Sequence, residues 1–192
     1  MNTMTAVASG TLLAACTMAA TAAPVSYTID PDHTYPSFTA DHMGMSNFRG
    51  KFNKASGTVV LDREAGTGRV DVTVDTSSLD FGHDKLNAHA KSPDMFDVAQ
   101  FPTATYKGEL TKFKDGEPTE IQGTLTLHGV AKPVTLTITS FKCKPHPMTR
   151  KEFCGADASG AINREDFGIA FGKQLGFDMN TPLQIQVEAK RD

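Results

Sequence analysis

The sequence contains no tryptophan and only three cysteines, and its charges nearly balance, with 22 acidic and 19 basic residues for a formal net charge of −3. This balance argues against nucleic acid binding, which usually requires a basic face. No apolar run is long enough for a transmembrane helix. Nucleophile-elbow, zinc-protease and phosphate-loop motifs are also missing. We therefore predict no catalytic residue set, no metal and no organic cofactor.

The first 22 residues carry no charged side chain and are rich in Ala and Thr. The segment Ala20-Thr21-Ala22 fits the small-x-small rule for signal peptidase and predicts cleavage before Ala23. Residues 1–22 are thus predicted to be a signal peptide and residues 23–192 one domain, located in the periplasm or secreted. An alternative is lipoprotein processing, because Leu13-Ala14-Ala15-Cys16 resembles a lipoprotein box in which Cys16 is lipidated.

If Cys16 leaves with the signal peptide, an even pair remains, Cys143 and Cys154. The short segment between them holds two prolines and a polar run, as expected for a disulfide that staples a β-hairpin in an oxidising compartment. The competing interpretation is a metal site formed by Cys143, His146 and Cys154. A structural zinc site usually has four ligands and C-x₂-C spacing, and neither is visible. The pattern therefore favours the disulfide.

Alternation of apolar and polar residues dominates the remaining chain. Val70, Val72 and Val74, for example, alternate with Asp71, Thr73 and Asp75, as a half-buried strand requires. Strands are predicted at residues 26–31, 37–43, 50–62, 70–75, 104–111, 120–127, 134–139, 152–163 and 183–190. Amphipathic strands joined by short turns predict an all-β fold, an eight-stranded antiparallel lipocalin-like barrel with room for packed side chains or one small ligand.

Residues 84–96 break this alternation. Their spacing predicts a short helix that ends before Pro93. We expect this capping helix to lie over one mouth of the barrel.

The histidines are scattered, and most sit beside turn residues. His42 differs, because Phe38, Ala40 and His42 share one face of a strand if the alternation holds. The imidazole of His42 either bonds to the backbone in a partly buried position or meets the head group of a ligand.

Phenylalanine and methionine are more abundant than a tight small core needs, with 12 and 8 residues. These side chains either pack the core or line a wide apolar cavity. The barrel favours the cavity, since its middle must be filled.

Four segments carry a recognisable pattern. In residues 38–52, the pattern H-x-G-x-S-x-x-x-G-x-F runs from His42 to Phe52. The other segments are residues 84–97 with Phe101-Pro102, residues 123–134 and residues 162–169. Together they resemble the YceI family of secreted, lipocalin-like polyisoprenoid-binding proteins. Two features depart from the family: the helix often starts with Arg-Asp-x-His, whereas Lys85-Leu86-Asn87-Ala88-His89 intervenes here, and Met95 replaces a common Phe.

The resemblance implies a hydrophobic tunnel that holds an isoprenoid-type lipid, such as a polyprenyl quinone, a polyprenyl phosphate or a long-chain lipid amide, without changing it chemically. His42 is the first choice for orienting the head group and Arg49 the second. The predicted ligand site comprises Phe38, His42, Met45, Phe48, Arg49, Phe52, Met95, Phe96, Phe101 and Phe167. The cysteine pair resembles one branch of the family only.

Two other functions remain open from the sequence. One is a quinone-linked enzyme or redox partner with His42 as proton relay, and the other is a stress-related structural protein with an adventitious lipid. The expected partners are the lipid, a membrane or a membrane redox protein in transient contact, and a second copy in a homodimer.

Overall fold

The computed structural model describes residues 23–192. The predicted signal peptide and the alternative lipidation site, Cys16, lie outside the described residues. The β-strands are β1 (Val25–Ile29), β2 (Tyr35–His42), β3 (Ser46–Phe52), β4 (Ala55–Asp62), β5 (Thr67–Asp75), β6 (Leu79–Asp80), β7 (Thr103–Thr111), β8 (Glu120–Leu127), β9 (Val130–Pro145), β10 (Glu152–Asn163) and β11 (Asn180–Arg191). One α-helix, α1 (Asp84–Lys91), and short 3₁₀ turns at Pro31–His33, Thr76–Ser78, Arg164–Phe167 and Lys173–Leu175 complete the described part of the chain.

Eight of these strands close into a barrel, in the order β1-β4-β5-β7-β8-β9-β10-β11 and back to β1. All pairings are antiparallel, so the predicted eight-stranded barrel is confirmed. Strand β11 carries an additional neighbour. Its last residues pair with β1, where Ala189 opposes Ile29, whereas Leu183 near its start opposes Phe38 of β2. Strands β2, β3 and β6 therefore continue the sheet beyond the barrel and form what we call the extension.

The single strand predicted at residues 50–62 is wrong, because the structure divides this segment into β3 and β4. The break falls at Asn53 and Lys54, whose backbone amides donate to the carbonyl and hydroxyl oxygens of Ser78 at 3.2 and 3.1 Å. β3 belongs to the extension and β4 to the barrel, so the chain must turn between them. Each strand alternates, but the buried positions are Gly50 and Phe52 on β3 and Ala55 and Leu61 on β4, so the alternation changes phase at the break.

Helix α1 begins and ends as predicted. His83 caps its first turn, with Nδ1 accepting from the amide of Leu86 at 3.3 Å, and the helix stops before Pro93. Asn87 ties the helix to β6, because its amide donates to Asp80 at 2.9 Å and its oxygen accepts from the amide of Phe81 at 2.7 Å. The Asn87 hydrogen bond also lowers the pKa of Asp80. These contacts hold α1 over one end of the barrel. No helix within residues 23–192 is long and apolar enough to cross a membrane.

The barrel interior is filled at the end away from α1. Inward side chains of its strands form one core that includes Tyr27, Ile29, Leu61, Leu136 and Ala189. A second cluster, Phe38, Phe52, Leu79 and Ala90, joins the extension to α1. The space that remains lies between these two clusters.

The disulfide predicted from the sequence joins Cys143 and Cys154, which are directly opposed partners on β9 and β10. The hairpin between them ends in an ordered turn, in which the amide of His146 donates to the carbonyl of Lys151 at 2.8 Å. The two sulfurs are therefore engaged with each other, as the hairpin interpretation requires, and the bond closes a loop of 11 positions.

Unreduced protein should show no free thiol from Cys143 and Cys154 on unfolding, because both are oxidised. The double substitution Cys143→Ala with Cys154→Ala should lower the free energy of unfolding by about 2–3 kcal/mol, through the entropy regained by the unfolded hairpin. Urea unfolding measures the change. Met148→Ala, at the exposed tip of the same hairpin, is the control and should stay within about 0.5 kcal/mol of the wild type. A double variant as stable as this control would contradict the prediction.

Candidate ligand-binding cavity

A cavity of about 650 Å³ lies at the end of the barrel covered by α1. Its walls come from the inner ends of the barrel strands, from β2 and β3 of the extension, from α1 and from the segment between β10 and β11. The lining residues are Pro36, Ser37, Phe38, Ala40, Asp41, His42, Phe48, Phe52, Val74, Phe81, His83, Lys85, Leu86, His89, Met95, Phe96, Ala104, Leu125, Leu127, Ile162, Arg164, Ile169, Phe171, Phe177, Thr181, Leu183 and Ile185.

Four phenylalanine rings form the wall beneath α1. Phe38 packs against Phe52, Phe81 and Phe96, with ring centroids 5.8, 5.5 and 6.1 Å apart. Phe52 and Phe96 also contact each other edge to face at 5.7 Å. Separations of this kind are favourable for aromatic pairs. The residues come from β2, β3, the link after β6 and the segment after α1, so this cluster joins the extension to the helix.

Gly50 makes this packing possible. It opposes Phe38 in the β2–β3 pair, and a Cβ atom at this position would lie 2.6 Å from the Phe38 ring and 2.8 Å from the Phe81 ring. Both rings therefore occupy the space that a side chain at this position would need. The second glycine of the H-x-G-x-S-x-x-x-G-x-F pattern thus has a packing role, whereas the first, Gly44, has a positive φ of 68° in the β2–β3 turn.

The cavity ends inside the barrel and does not continue through it. On β7, Ala104 lines the cavity, and Tyr106 is the next residue on the same face. The ring of Tyr106 covers Gly123, and its hydroxyl donates to the carbonyl of Val134 at 2.9 Å. Burial raises the pKa of Tyr106 to about 12. Tyr106 and the packed core around Tyr27, Ile29 and Leu61 therefore bound the pocket at its inner end.

Arg164 and Asp41 shape the opening of the cavity. The Arg164 guanidinium donates to the carbonyls of Ile169 and Phe171, both at 2.8 Å, and desolvation lowers its pKa. The Asp41 carboxylate accepts from the amides of Asp178 and Gly44 at 3.0 and 2.9 Å, and these bonds lower its pKa. Residues 168–179 are thereby fastened to both β2 and the end of β10.

Two histidine–phenylalanine pairs stand at this opening. His42 contacts Phe48 and Phe177 at ring-centroid distances of 4.9 and 5.4 Å. On the side of α1, His89 meets Phe171 edge to face at 4.6 Å. The mouth thus combines aromatic faces with imidazole nitrogens, while the deeper wall is apolar.

The structure brings six of the ten predicted ligand-site residues together. Phe38, His42, Phe48, Phe52, Met95 and Phe96 all line the cavity. Phe38, Ala40 and His42 share one face of β2, as the alternation predicts.

Met45, Arg49, Phe101 and Phe167 lie outside the cavity lining. Met45 is 71% exposed in the β2–β3 turn, and Arg49 is exposed on β3 opposite Thr39. The position of Arg49 follows from the strand period, since it lies between the inward residues Phe48 and Gly50. Met45 lies in the turn between the two strands, where the alternation does not apply.

Phe101 and Phe167 lie beside the turn between β8 and β9, which contains His128 and Gly129. Phe101 stacks on His128 at 4.3 Å between ring centroids, and the carbonyl of Phe167 bonds to His128 Nδ1 at 3.1 Å. Phe167 is only 2% exposed. Phe167 therefore belongs to the core behind the cavity wall, and Phe101 packs on His128 outside the lining.

The sequence interpretation missed several residues at the mouth. Arg164, Phe171 and Phe177 come from the glycine-rich segment after β10, which has no periodicity to indicate which side chains turn inward. His83, Lys85 and His89 are on or beside α1, and their polar character suggested solvated positions. The spacing of Lys85 and His89, four residues apart on a helix predicted to cap a barrel mouth, was an available signal.

These features define a class of protein: a lipocalin-like β-barrel with a blind apolar pocket, closed by a helix and opening onto a small polar rim. The model of the YceI-like domain matches residues 27–190, and the chain belongs to this family. It is 35% identical to Protein YceI of Escherichia coli O6:H1 over 154 residues, 79% of this chain and 80% of the relative. A UPF0312 protein of Enterobacter sp. (strain 638) is 37% identical over 151 residues, covering 77% and 78%.

Solved structures share the fold. The YceI protein of Campylobacter jejuni superposes with a TM-score of 0.65 at 27% identity, covering 79% of this chain and 89% of that chain. BcnA of Burkholderia cenocepacia superposes with a TM-score of 0.68 at 20% identity, covering 83% and 98%. At the latter identity, the likeness shows the fold alone.

Replacing Gly50 with Ala should destabilise the protein by about 1–3 kcal/mol, because the new methyl group displaces the Phe38 and Phe81 rings. Urea unfolding measures the loss. The control is Gly155→Ala on β10, where the nearest atom to an added Cβ would be 3.6 Å away, and it should change stability by less than about 0.5 kcal/mol. Equal stability of Gly50→Ala and Gly155→Ala would show that the rings do not depend on Gly50.

Proposed function

We propose that this protein is an exported carrier that binds one apolar, isoprenoid-type lipid in the pocket beneath α1. The observation that carries the proposal is the pocket itself, about 650 Å³ in volume and walled by aromatic and aliphatic side chains. Ligand sites of this kind are mostly apolar, with a few polar groups that orient the ligand. Here the polar groups gather at the mouth, where a head group would lie when the tail occupies the interior.

The size of the pocket supports a tail of limited length. At about 30 Å³ for each water-sized group, the pocket accommodates on the order of 20 methylene-sized groups. Burying that many groups is worth roughly 16 kcal/mol before the ordering costs of binding, at about 0.8 kcal/mol each. A tail of about twenty carbons would fill the pocket, and a longer polyprenyl chain would extend past the mouth.

Binding without chemical change also agrees with the environment of the histidines. Within residues 23–192, neither His42 nor His89 is hydrogen-bonded to a carboxylate that would orient it as a general base, and both contact aromatic rings instead. The Asp41 carboxylate beside His42 is occupied by backbone amides. The mouth is thus better suited to holding a head group than to transforming it.

Proteins with the same fold also support the proposal. One solved structure with this fold, at a TM-score of 0.62 and 15% identity, is described as a polyisoprenoid-binding domain of Saccharophagus degradans. At that identity the likeness extends to the fold, so the isoprenoid class is proposed here from the pocket. Export is supported by the uncharged segment 1–22 and by the Cys143–Cys154 disulfide.

Protein purified without detergent should carry one lipid molecule per chain, detected by native mass spectrometry. Ala40→Phe places a ring inside the pocket and should abolish most of this lipid. Thr39→Phe, the neighbouring position outside the lining, is the matched control and should retain it. Thermal unfolding must show that both variants are folded. An empty wild-type barrel, or full lipid content in folded Ala40→Phe, would contradict the proposal.

A bound polyprenyl quinone should leave the protein chemically unchanged, because the mouth lacks an oriented base. Incubation followed by extraction should return the same mass and redox state as a protein-free control. His42→Ala should weaken binding by about 1 kcal/mol, the value of one hydrogen bond. Saturable conversion that disappears in His42→Ala would instead establish an enzyme acting on quinones.

A further inference from the structure

The hairpin between β9 and β10 concentrates positive charge at one end of the barrel. Residues 142–151 contain no Asp or Glu, in a chain whose formal net charge is −3. The four basic residues of this segment, all exposed, are Lys142, Lys144, Arg150 and Lys151. Within residues 23–192, none of their side chains forms an ion pair or a hydrogen bond. Glu152, which follows the segment, accepts from the Tyr27 hydroxyl at 2.6 Å and lies 3.9 Å from Arg191.

This basic hairpin extends past the neighbouring strand and lies away from the cavity. The register between β8 and β9 ends where Glu120 opposes Thr137, whereas β9 continues to Pro145. On β10, Glu152 is next to the hairpin, and Ile162 near the other end of the strand lines the cavity. The hairpin and the cavity therefore lie at opposite ends of β10.

An apolar side chain stands at the tip of the basic hairpin. Met148 is 86% exposed, more than the other large hydrophobic residues exposed in the described part of the chain. His146 orders the turn, because its Nδ1 accepts from the amides of Met148 and Thr149 at 3.3 and 3.2 Å. The His146 ring also packs on Phe153, with ring centroids 4.8 Å apart. Together with the disulfide behind it, this turn presents Met148 in a fixed position.

We infer that the basic hairpin is a docking site for an anionic lipid surface, where Met148 enters the head-group region and the four basic side chains contact lipid phosphates. Each Lys or Arg near such a surface contributes about fivefold in affinity, the equivalent of about 1 kcal/mol. An acidic protein fits this hairpin less well, because a stable protein interface buries about 800 Å² on each partner. A narrow turn with one apolar side chain does not supply such an area.

Docking through this hairpin leaves the cavity free. Because the cavity lies at the other end of β10, its mouth faces away from the lipid surface to which the hairpin binds. The interaction is therefore separate from ligand binding in the pocket, and it does not depend on the proposed function.

Cosedimentation with lipid vesicles tests the inference. Purified protein should bind vesicles of phosphatidylglycerol mixed with phosphatidylcholine at least about tenfold more tightly than vesicles of phosphatidylcholine alone. The difference should fall as ionic strength rises, since salt screens the attraction between exposed charges.

The double substitution Lys144→Gln with Arg150→Gln should weaken binding to the anionic vesicles by roughly 25-fold, about fivefold for each charge. The matched control is Lys107→Gln with Lys132→Gln, which removes the same charge from exposed positions on β7 and near the start of β9. This control should stay within about twofold of the wild type, because its charges lie away from the hairpin. Thermal unfolding establishes that both variants are folded.

Met148→Ser should weaken binding by about fivefold, through the apolar area that no longer enters the lipid. Met45→Ser is the matched control, since Met45 is also exposed but lies in the β2–β3 turn. It should bind anionic vesicles as the wild type does.

Four results would overturn the inference. The protein could bind neutral vesicles as tightly as anionic ones, or the two double variants could lose the same affinity. A loss in Met45→Ser without one in Met148→Ser would place the lipid contact at the β2–β3 turn. Polyglutamate that binds the hairpin when anionic vesicles do not would assign this surface to an acidic protein.

Discussion

A β-strand has two hydrogen-bonding edges, and the architecture of this protein depends on how β11 uses them. One edge pairs with β10 along its whole length, from Asn180 to Lys190. The other edge is divided, with β1 at its end and β2 nearer its start. Where β1 takes the edge, the barrel closes. Where β2 takes it, the sheet leaves the barrel, and the interior widens into the pocket.

The rest of the site follows from this division. The extension carries Phe38 and Phe52 on its inner face, and α1 covers them, anchored through Asn87 to Asp80. At the other end, the interior is packed with core side chains that include Tyr27 and Ile29. A barrel of eight strands has room for either packed side chains or one ligand, and here one end is packed while the other encloses the cavity. The packed core that stabilises the fold and the cavity therefore lie in different parts of the same sheet.

The polar side chains at the rim of the pocket also fall into two groups. Arg164 and Asp41 form hydrogen bonds with backbone groups of residues 168–179, and these bonds determine the shape of the opening. Within residues 23–192, the side chains of Lys85, His42 and His89 form no hydrogen bond, whereas His83 Nδ1 accepts from the amide of Leu86.

The sequence by itself determined the strands, the short helix before Pro93, the disulfide and the apolar character of the interior. These features depend on local alternation, on breaker residues and on the spacing of Cys143 and Cys154. The face of β2 that carries Phe38 and His42 was predictable for the same reason. Only the tertiary structure decided that residues 50–62 form two strands and that β11 is shared. Only it decided that Phe101 and Phe167 serve the His128 turn, and that Phe171 and Phe177 reach the mouth. These outcomes depend on which distant segments meet, and alternation along a strand contains no information about its neighbour or about the path of an irregular segment.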